Sequence, residues 1–273
     1  MLCSIKAFAK KGLATLAVLS SSLFDQTDFS DCSEDLDHVP PPRFKWSHNG
    51  GLSSFDHASI RRGFQVYREV CASCHSINQM SFRNFVGVTH DESSMAKLAS
   101  TYDIIDGPND EGEMFERPGK LSDRIPGPYK NEEEGRFANN GSLPPDLSLI
   151  VKARHHGEDY IFALLTGYTD PPAGINILPN SYYNPYFLNG IIAMIKPISN
   201  GQIEYEDGTP CSEAQMAKDV ATFLAWTAEP EHDMRKKNGI QWIVALITAT
   251  LITGYYKRFR WAPLKSRKIS YEK

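Results

Sequence analysis

The chain has 273 residues, of which 41% are hydrophobic and 23% are charged. This composition is typical of a folded globular protein and excludes disordered, collagen-like and mucin-like chains. The mean hydropathy of -0.38 excludes a protein made mainly of membrane spans.

The net charge of -4 conceals an uneven distribution along the chain. Residues 1–24 contain three lysines and no acid, and residues 235–273 contain ten Lys and Arg against a single Glu. All other acids lie in residues 25–234, where they outnumber the bases about two to one. An acidic body of this kind repels nucleic acid and attracts a basic partner, whereas the basic ends suit targeting or a membrane surface.

The N-terminal residues predict a targeting or sorting segment over 1–24. Lys6, Lys10 and Lys11 form a basic start, and the uncharged run that follows is too short to span a bilayer. Residues 25–53 predict an extended segment because Pro40, Pro41 and Pro42 stand in a row.

A helix is predicted from about Phe55 to Val70, with Ile60, Phe64 and Tyr67 on one face. It leads into Cys71-Ala72-Ser73-Cys74-His75, a C-x-x-C-H sequence that is the attachment signature of a c-type haem. Two cysteines three apart on a helical turn can each form a thioether bond to one porphyrin, and the adjacent histidine then binds the iron.

Two other interpretations of the cysteine pair fit the sequence less well. A zinc knuckle needs a second Cys/His pair with ligand spacing, which the sequence does not contain. A thioredoxin-like dithiol follows a strand and begins a helix, whereas this pair follows an amphipathic helix. Haem attachment therefore explains the pair best. No role follows for Cys3, Cys32 or Cys211.

The stretch from about Asp103 to Ser142 is rich in turn dipeptides and predicts a long loop with little regular structure. Residues 146–166 predict two short helices separated by Gly157, and the proline-rich residues 170–210 predict another loop. Ser212 and Gln215 form a capping-box pattern for a helix that ends at Glu229 and Pro230, with a buried face of Met216, Val220, Phe223 and Leu224.

An electron-transfer haem needs a sixth iron ligand. Met194 leads because it lies in an apolar stretch within a proline-bounded loop, which could present its thioether to the far side of the haem. His155 and His156 remain alternatives, as does a plain core role for Met194.

Residues Gly239 to Tyr256 form an 18-residue run without charge, long enough as a helix to cross a hydrocarbon core. Three basic residues precede it, six follow it, and Trp242, Tyr255, Tyr256 and Trp261 suit the two interfaces. The positive-inside rule places the C-terminus on the basic side of the membrane and the acidic body on the other.

Taken together, the motifs resemble the cytochrome c1 family, the haem subunits of the quinol–cytochrome c oxidoreductase, or complex III. The resemblance covers about residues 40 to 270. It is carried by these blocks, in chain order: Trp46–His48, Asp56–Tyr67 running into the haem motif, Asp106–Asn109, Arg117–Asp123, Ala138–Gly141, Leu143–Ser148, Asn184–Phe187, Asp207–Pro210, Ala228–Asp233 and Leu264–Lys268.

The resemblance implies that one haem c is held covalently by Cys71 and Cys74, with His75 and Met194 as the iron ligands. It also implies that five residues line the haem or hold its propionates, and that Arg83 lies nearby. Those five residues are Asn139, Pro144, Pro145, Arg154 and Tyr160.

The family further implies an electron carrier that accepts one electron from a Rieske iron–sulfur protein and passes it to soluble, basic cytochrome c. Cytochrome b, the other complex III subunits and membrane lipid are the further expected partners, in a dimeric complex. The expected location is the mitochondrial inner membrane, with the haem domain in the intermembrane space and the C-terminus in the matrix. A c-type subunit of a terminal oxidase, a membrane-anchored thiol–disulfide enzyme and a non-redox scaffold are the alternatives.

The predicted fold is therefore mainly α: a c-type cytochrome domain of helices and long loops with one C-terminal transmembrane helix. The predicted organisation is a targeting segment (1–24), an extended segment (25–53), a haem domain (54–234), a membrane anchor (235–257) and a basic matrix-side tail (258–273).

Overall fold

The computed structural model describes residues 39–270, so the targeting segment predicted for residues 1–24, and with it Cys3 and Cys32, lies outside the described residues. The described part is mainly helical, as predicted. Its α-helices are α1 (His57–Glu69), α2 (Glu92–Ala99), α3 (Glu132–Ala138), α4 (Gly157–Thr166), α5 (Glu213–Ala228) and α6 (His232–Ser266).

The first predicted helix is confirmed as α1. The side chain of Asp56 caps its start by accepting hydrogen bonds from the amides of Ala58 and Ser59 at 3.0 and 3.3 Å. The predicted face is buried, with Ile60, Phe64 and Tyr67 each at most 3% exposed. Because α1 ends at Glu69, the Cys71–Ser73 turn follows it directly.

The predicted helix after Ser212 is confirmed as α5. The Ser212 hydroxyl accepts a hydrogen bond from the Gln215 amide at 3.2 Å, and Met216 and Phe223 are fully buried. Helix α5 packs across α1, and the two helices approach closely because Gly63 has no side chain. A Cβ on Gly63 would stand 2.1 Å from the Asp219 carbonyl oxygen and 2.6 Å from Phe223 Cβ.

A buried polar network joins the same two helices. Asp219 is fully buried on α5, and it accepts hydrogen bonds from Ser59 Oγ at 2.6 Å and from Arg62 Nε at 2.9 Å, both on α1. Gln215 Nε2 donates to the same carboxylate at 2.9 Å. The hydrogen bond to the Asp219 carboxylate raises the pKa of Arg62, so the guanidinium stays charged inside the crossing.

The prediction of a long loop with little regular structure over residues 103–142 is only partly right, because the stretch contains a hairpin and a helix. Strands β1 (Asp103–Asp106) and β2 (Phe115–Pro118) form an antiparallel hairpin in which Asp106 lies opposite Phe115. Helix α3 follows, capped by the Asn131 side chain. The Gly-Pro and Pro-Gly dipeptides mark the ends of two four-residue strands, which are too short to show a clear alternation of side chains.

The prediction of two helices in residues 146–166 is half wrong. Only α4 forms, and the residues before it make turns in which Lys152 and Ala153 donate to the Leu149 carbonyl. Leu147, Ile150 and Val151 are buried all the same. His156 and Gly157 both have positive φ, which stops any helix from continuing across them.

The stretch 170–210 is mostly loop, as predicted, apart from two-residue strands β3 (Tyr182–Tyr183) and β4 (Ile191–Ile192) and a 3-10 turn, Leu188–Gly190. In the segment predicted as extended, residues 39–53 run without helix or strand, but Trp46 and His48 are buried against the domain.

Helix α6 contains the predicted span and extends beyond it at both ends. It begins at His232 and runs through residues 239–256 to Ser266, including the start of the basic tail. Its length and composition are sufficient to cross a membrane, and none of its 18-residue apolar window is buried. An apolar helix that exposes such residues as Trp242 and Leu246 to solvent is expected only where lipid or other protein covers it.

Candidate functional site

The two cysteines of the C-x-x-C-H sequence lie on a single turn at the end of α1. The amides of Cys74 and His75 both donate to the Cys71 carbonyl oxygen, at 3.1 and 2.8 Å. Both thiols are free and half-buried. The turn therefore holds two thiols three residues apart, followed directly by an imidazole, which is the arrangement that two thioether bonds and one axial ligand require.

His75 is held in one orientation by a residue seventy positions away. Its Nδ1 lies 2.8 Å from the Pro145 carbonyl oxygen. Because a carbonyl only accepts, Nδ1 carries the hydrogen and Nε2 keeps the lone pair that binds a metal. Burial lowers the pKa of His75, against the raising effects of this hydrogen bond and of Asp146, and so keeps the ring neutral.

A second hydrogen bond fixes the backbone at His75, since the Tyr67 hydroxyl donates to the His75 carbonyl oxygen at 3.0 Å. The sequence assigned Tyr67 only to the buried face of α1. Its position eight residues before His75, on the same face as Cys71, is the signal that could have revealed this role.

Asp146 braces the loop that carries Pro144 and Pro145. Its carboxylate accepts from Ser76 Oγ at 2.8 Å and from the Asn78 amide at 2.7 Å. Burial acts to raise the pKa of Asp146, but hydrogen bonds from Ser148, Asn78 and Ser76 outweigh it, so the pKa is lowered. No role for Asp146 was predicted from the sequence, because Ser76 and Asn78 lie about seventy residues away along the chain.

Met194 lies just after β4 and is half-buried. The Tyr168 hydroxyl donates to its carbonyl oxygen at 3.0 Å. Tyr160 is half-buried on α4, and Arg154 is exposed six residues before it. The hydrogen bond from Tyr168 therefore fixes the backbone of Met194, a contact that the sequence did not suggest.

The remaining predicted residues lie in three other places. Asn139 ends α3, and its side-chain amide donates to Tyr129 Oη and to the Gly135 carbonyl oxygen, both at 2.8 Å. Arg83 is exposed on the 3-10 turn Phe82–Phe85, where its backbone amide donates to the Leu121 carbonyl oxygen at 2.8 Å. His155 and His156 are exposed at the start of α4.

The surroundings of Cys71 make its thiol harder to ionise, which is unfavourable for a catalytic dithiol. Burial, followed by the charge of Cys74, raises the pKa of the Cys71 thiol to about 12. A catalytic dithiol needs the opposite shift, because the thiolate is the nucleophile. The pair also follows a helix instead of beginning one. Both observations argue against a thiol–disulfide enzyme.

Comparison with known proteins gives one consistent result. Residues 46–264 match the model of the Cytochrome C1 family. A mitochondrial cytochrome c1 haem protein of Arabidopsis thaliana is 54% identical over 97% of this chain and 85% of its own length.

Fungal relatives agree. The cytochrome b-c1 complex catalytic subunit of Candida albicans is 51% identical over 98% of this chain and 94% of its own length. The mitochondrial cytochrome c1 haem protein of Saccharomyces cerevisiae is 56% identical over 84% of this chain and 74% of its own length.

Proposed function

The chain belongs to the cytochrome c1 family, and from this premise we propose that it relays single electrons through one covalently held haem c. The family itself makes it a mitochondrial haem protein of electron transport, in the cytochrome b-c1 complex. The finer proposal is that the electron comes from a Rieske iron–sulfur protein and goes to soluble cytochrome c.

The observation that carries the proposal is the hydrogen bond between His75 Nδ1 and the Pro145 carbonyl oxygen. It leaves Nε2 free as an axial ligand beside two thiols on one turn, so the residues fit a c-type haem. When bound, the haem supplies a one-electron redox couple. Cys71 and Cys74 would hold it by thioether bonds, and the Pro145 carbonyl would orient His75 and increase its basicity as a ligand.

We assign the sixth ligand to Met194, whose carbonyl is held by Tyr168. Arg154 and Tyr160 can bind propionate carboxylates, because a guanidinium and a phenol both donate to them. Asn139, Pro144 and Pro145 would line the haem, and Arg83 would lie at its periphery. Together these residues exclude water and set the potential, while no bond of a substrate is made or broken by this chain.

The membrane arrangement follows from α6. The proposed organisation keeps residues 54–234 as the haem domain in the intermembrane space, 235–257 as the anchor in the inner membrane and 258–273 as a matrix-side tail. Six basic residues after the apolar run, against three before it, support this orientation. Cytochrome b, the other subunits and lipid would surround the exposed apolar face of α6 in a dimeric complex.

The haem assignment is tested by the pyridine-haemochrome spectrum of the purified complex and by the near-infrared band of a thioether–iron bond. The wild type should show covalent haem c and the band. Met194→Leu should lose the band and keep the haem, whereas Cys71→Ser with Cys74→Ser should lose covalent haem. A Met194→Leu variant that keeps the band refutes the ligand, and His155 and His156 are then the next residues to substitute.

Docking of a basic partner is expected at acidic surface clusters, which the sequence places at Asp106–Glu116, Glu132–Glu134 and Glu204–Asp207. Asp106 and Asp207 form ion pairs with Arg117 and Arg62, so they already have partners within the chain.

Glu133 is exposed in the first turn of α3 and is the better test, because Glu132 pairs with Arg136 at 4.0 Å. Replacing Glu133 with Gln should slow cytochrome c reduction at low salt and flatten its salt dependence. Glu231→Gln, which removes one charge from an exposed acid beside the anchor, is the matched control. Equal salt slopes in the two variants would contradict docking at α3.

Co-purification separates the proposal from its nearest alternative. A subunit of the cytochrome b-c1 complex should purify with cytochrome b and a Rieske protein, whereas a terminal-oxidase subunit should purify with oxidase subunits. A scaffold without a redox role predicts that a His75 substitution leaves quinol oxidation unchanged.

A further inference from the structure

Helix α6 lies against the rest of the described chain at its N-terminal end, residues 232–241. Among the described residues, His232 is the one buried residue of this 35-residue helix, and the apolar window is exposed throughout. At about 1.5 Å per residue the helix is a lever of roughly 50 Å, so a 10° change at the first turn moves its far end by about 9 Å. The orientation of the domain on the membrane therefore depends on a few contacts.

The central contact is made by Lys236. Its Nζ donates to three backbone carbonyl oxygens: that of His48 at 2.6 Å, that of Gly50 at 2.7 Å and that of Ser53 at 3.0 Å. An ammonium has three donors, and all three are used here. Hydrogen bonds from a charged donor are about twice as strong as neutral ones. The loop 48–53 is thus wrapped round the lysine at the point where α6 leaves the domain.

Side chains of the same turn support this contact. Asp233 accepts hydrogen bonds from the Phe55 amide at 3.2 and 3.3 Å and pairs with Nδ1 of His232 at 2.9 Å. The Phe55 ring lies 4.7 Å from the His232 ring and stacks on the His48 ring at 4.4 Å. We call these five residues (His48, Phe55, His232, Asp233 and Lys236) the anchor joint.

The anchor joint continues into the helix that carries Tyr160. Nε2 of His48 lies 3.4 Å from the Glu158 carboxylate, and Trp46 Nε1 donates to Asp159 Oδ1 at 2.6 Å. Glu158 and Asp159 form the first turn of α4 and directly precede Tyr160. A continuous set of contacts therefore links the base of the anchor to a residue proposed to hold the haem.

We propose that Lys236 is a positioning residue: by binding the carbonyls of His48, Gly50 and Ser53 it locks the haem domain on its membrane helix in one orientation. This inference rests on the proposed function, because orientation matters through the distance and angle between the haem and its redox partners in the complex. Lys236 acts through the loop 48–53 and α4 and does not itself bind haem.

Lys236→Met and Lys237→Met form a matched pair of variants. Each removes one positive charge from the same basic flank, so any effect on membrane topology is shared. Lys237 is exposed and adjacent. The assembled complex is studied in oriented membrane multilayers, where electron paramagnetic resonance reports the angle of the haem plane to the membrane normal. The rate of haem reduction by quinol is measured alongside.

The Lys236→Met complex should lose the narrow distribution of haem angles. Its haem should be reduced up to about 100-fold more slowly, which is the loss that a misplacement of about 1 Å can cause. Its haem content, redox potential and reduction by ascorbate should match the wild type. Lys237→Met should match the wild type in every measurement. A purely stabilising role would change haem content or melting temperature without changing the angle.

A Lys236→Met complex with full haem content, wild-type haem angles and a wild-type reduction rate contradicts this inference and leaves the proposed function unaffected. Lys236→Gln keeps two N–H donors and should give an intermediate angular spread. If neither variant assembles, Lys236 serves assembly and the inference is overturned. If the wild-type complex contains no covalent haem, the proposed function fails, and the inference fails with it.

Discussion

Gly63→Ala should destabilise the haem domain through the crossing of α1 and α5. The added Cβ would stand 2.1 Å from the Asp219 carbonyl oxygen, and ordinary contact begins at about 3.4 Å, so the helices must separate by about 1.3 Å. Overpacking costs about 1–3 kcal/mol, and we expect the upper end because the obstacle is backbone that cannot rotate away. The higher helix propensity of Ala stabilises the helix by about 1 kcal/mol relative to Gly. The free energy of unfolding should therefore fall by about 2 kcal/mol.

Thermal unfolding of the purified chain in detergent, followed by circular dichroism, measures this loss. At roughly 2–4 °C per kcal/mol for a chain of this size, Gly63→Ala should lower Tm by roughly 4–8 °C. Gly239→Ala is the control, since it is also a helical glycine but has no atom within 4 Å of its added Cβ. A Gly63→Ala chain that melts with the wild type would refute the account of the crossing. Because α1 leads directly into Cys71, we also expect less covalent haem in the variant.

Two further predictions concern charged groups. Asp219→Ala leaves Arg62 without its buried partner and should lower the free energy of unfolding by about 3 kcal/mol. Asp207→Ala removes an exposed partner of the same arginine and should lower it by less than about 1 kcal/mol. Equal losses of Tm in the two variants would contradict this difference. Hydrogen bonds from Arg117 lower the pKa of Asp123 to about 2. A carboxylate with a lowered pKa stabilises the fold above its unfolded-state pKa of about 3.9, and this stabilisation is lost as the pH falls towards 2. Cleavage of the β1–β2 hairpin by pepsin should therefore rise between pH 4 and pH 2 in the wild type, but in Asp123→Asn it should be high at both pH values.

The elements predicted correctly are those whose signals are local. Helix α1 has its capping aspartate and a buried face of regular spacing, α5 has Ser212 and its own apolar face, and α6 has an uncharged run between basic flanks. Each signal lies within the element that it predicts, because caps act within one turn and helical faces repeat every three to four residues.

The errors fall where local signals are weak. The β1–β2 hairpin has four-residue strands, and the Arg117 side chain holds it together by pairing with Asp106 and Asp123. Residues 147–153 have the apolar spacing of a helix but form turns, because the Pro145 carbonyl accepts a hydrogen bond from His75 and the Asp146 carboxylate accepts from Ser76 and Asn78. In both places, contacts outside the segment override the local pattern.

The sequence by itself determined the chemistry of the centre: two cysteines and a histidine at haem-attachment spacing, an acidic body and a single apolar span. Only the tertiary structure decided how these parts are held. The bond from His75 to Pro145 crosses 70 positions, and those from Lys236 to the loop 48–53 cross more than 180. A backbone carbonyl is present at every residue, so no side-chain pattern in the sequence identifies which carbonyl will meet a distant donor; folding of the intervening chain selects it.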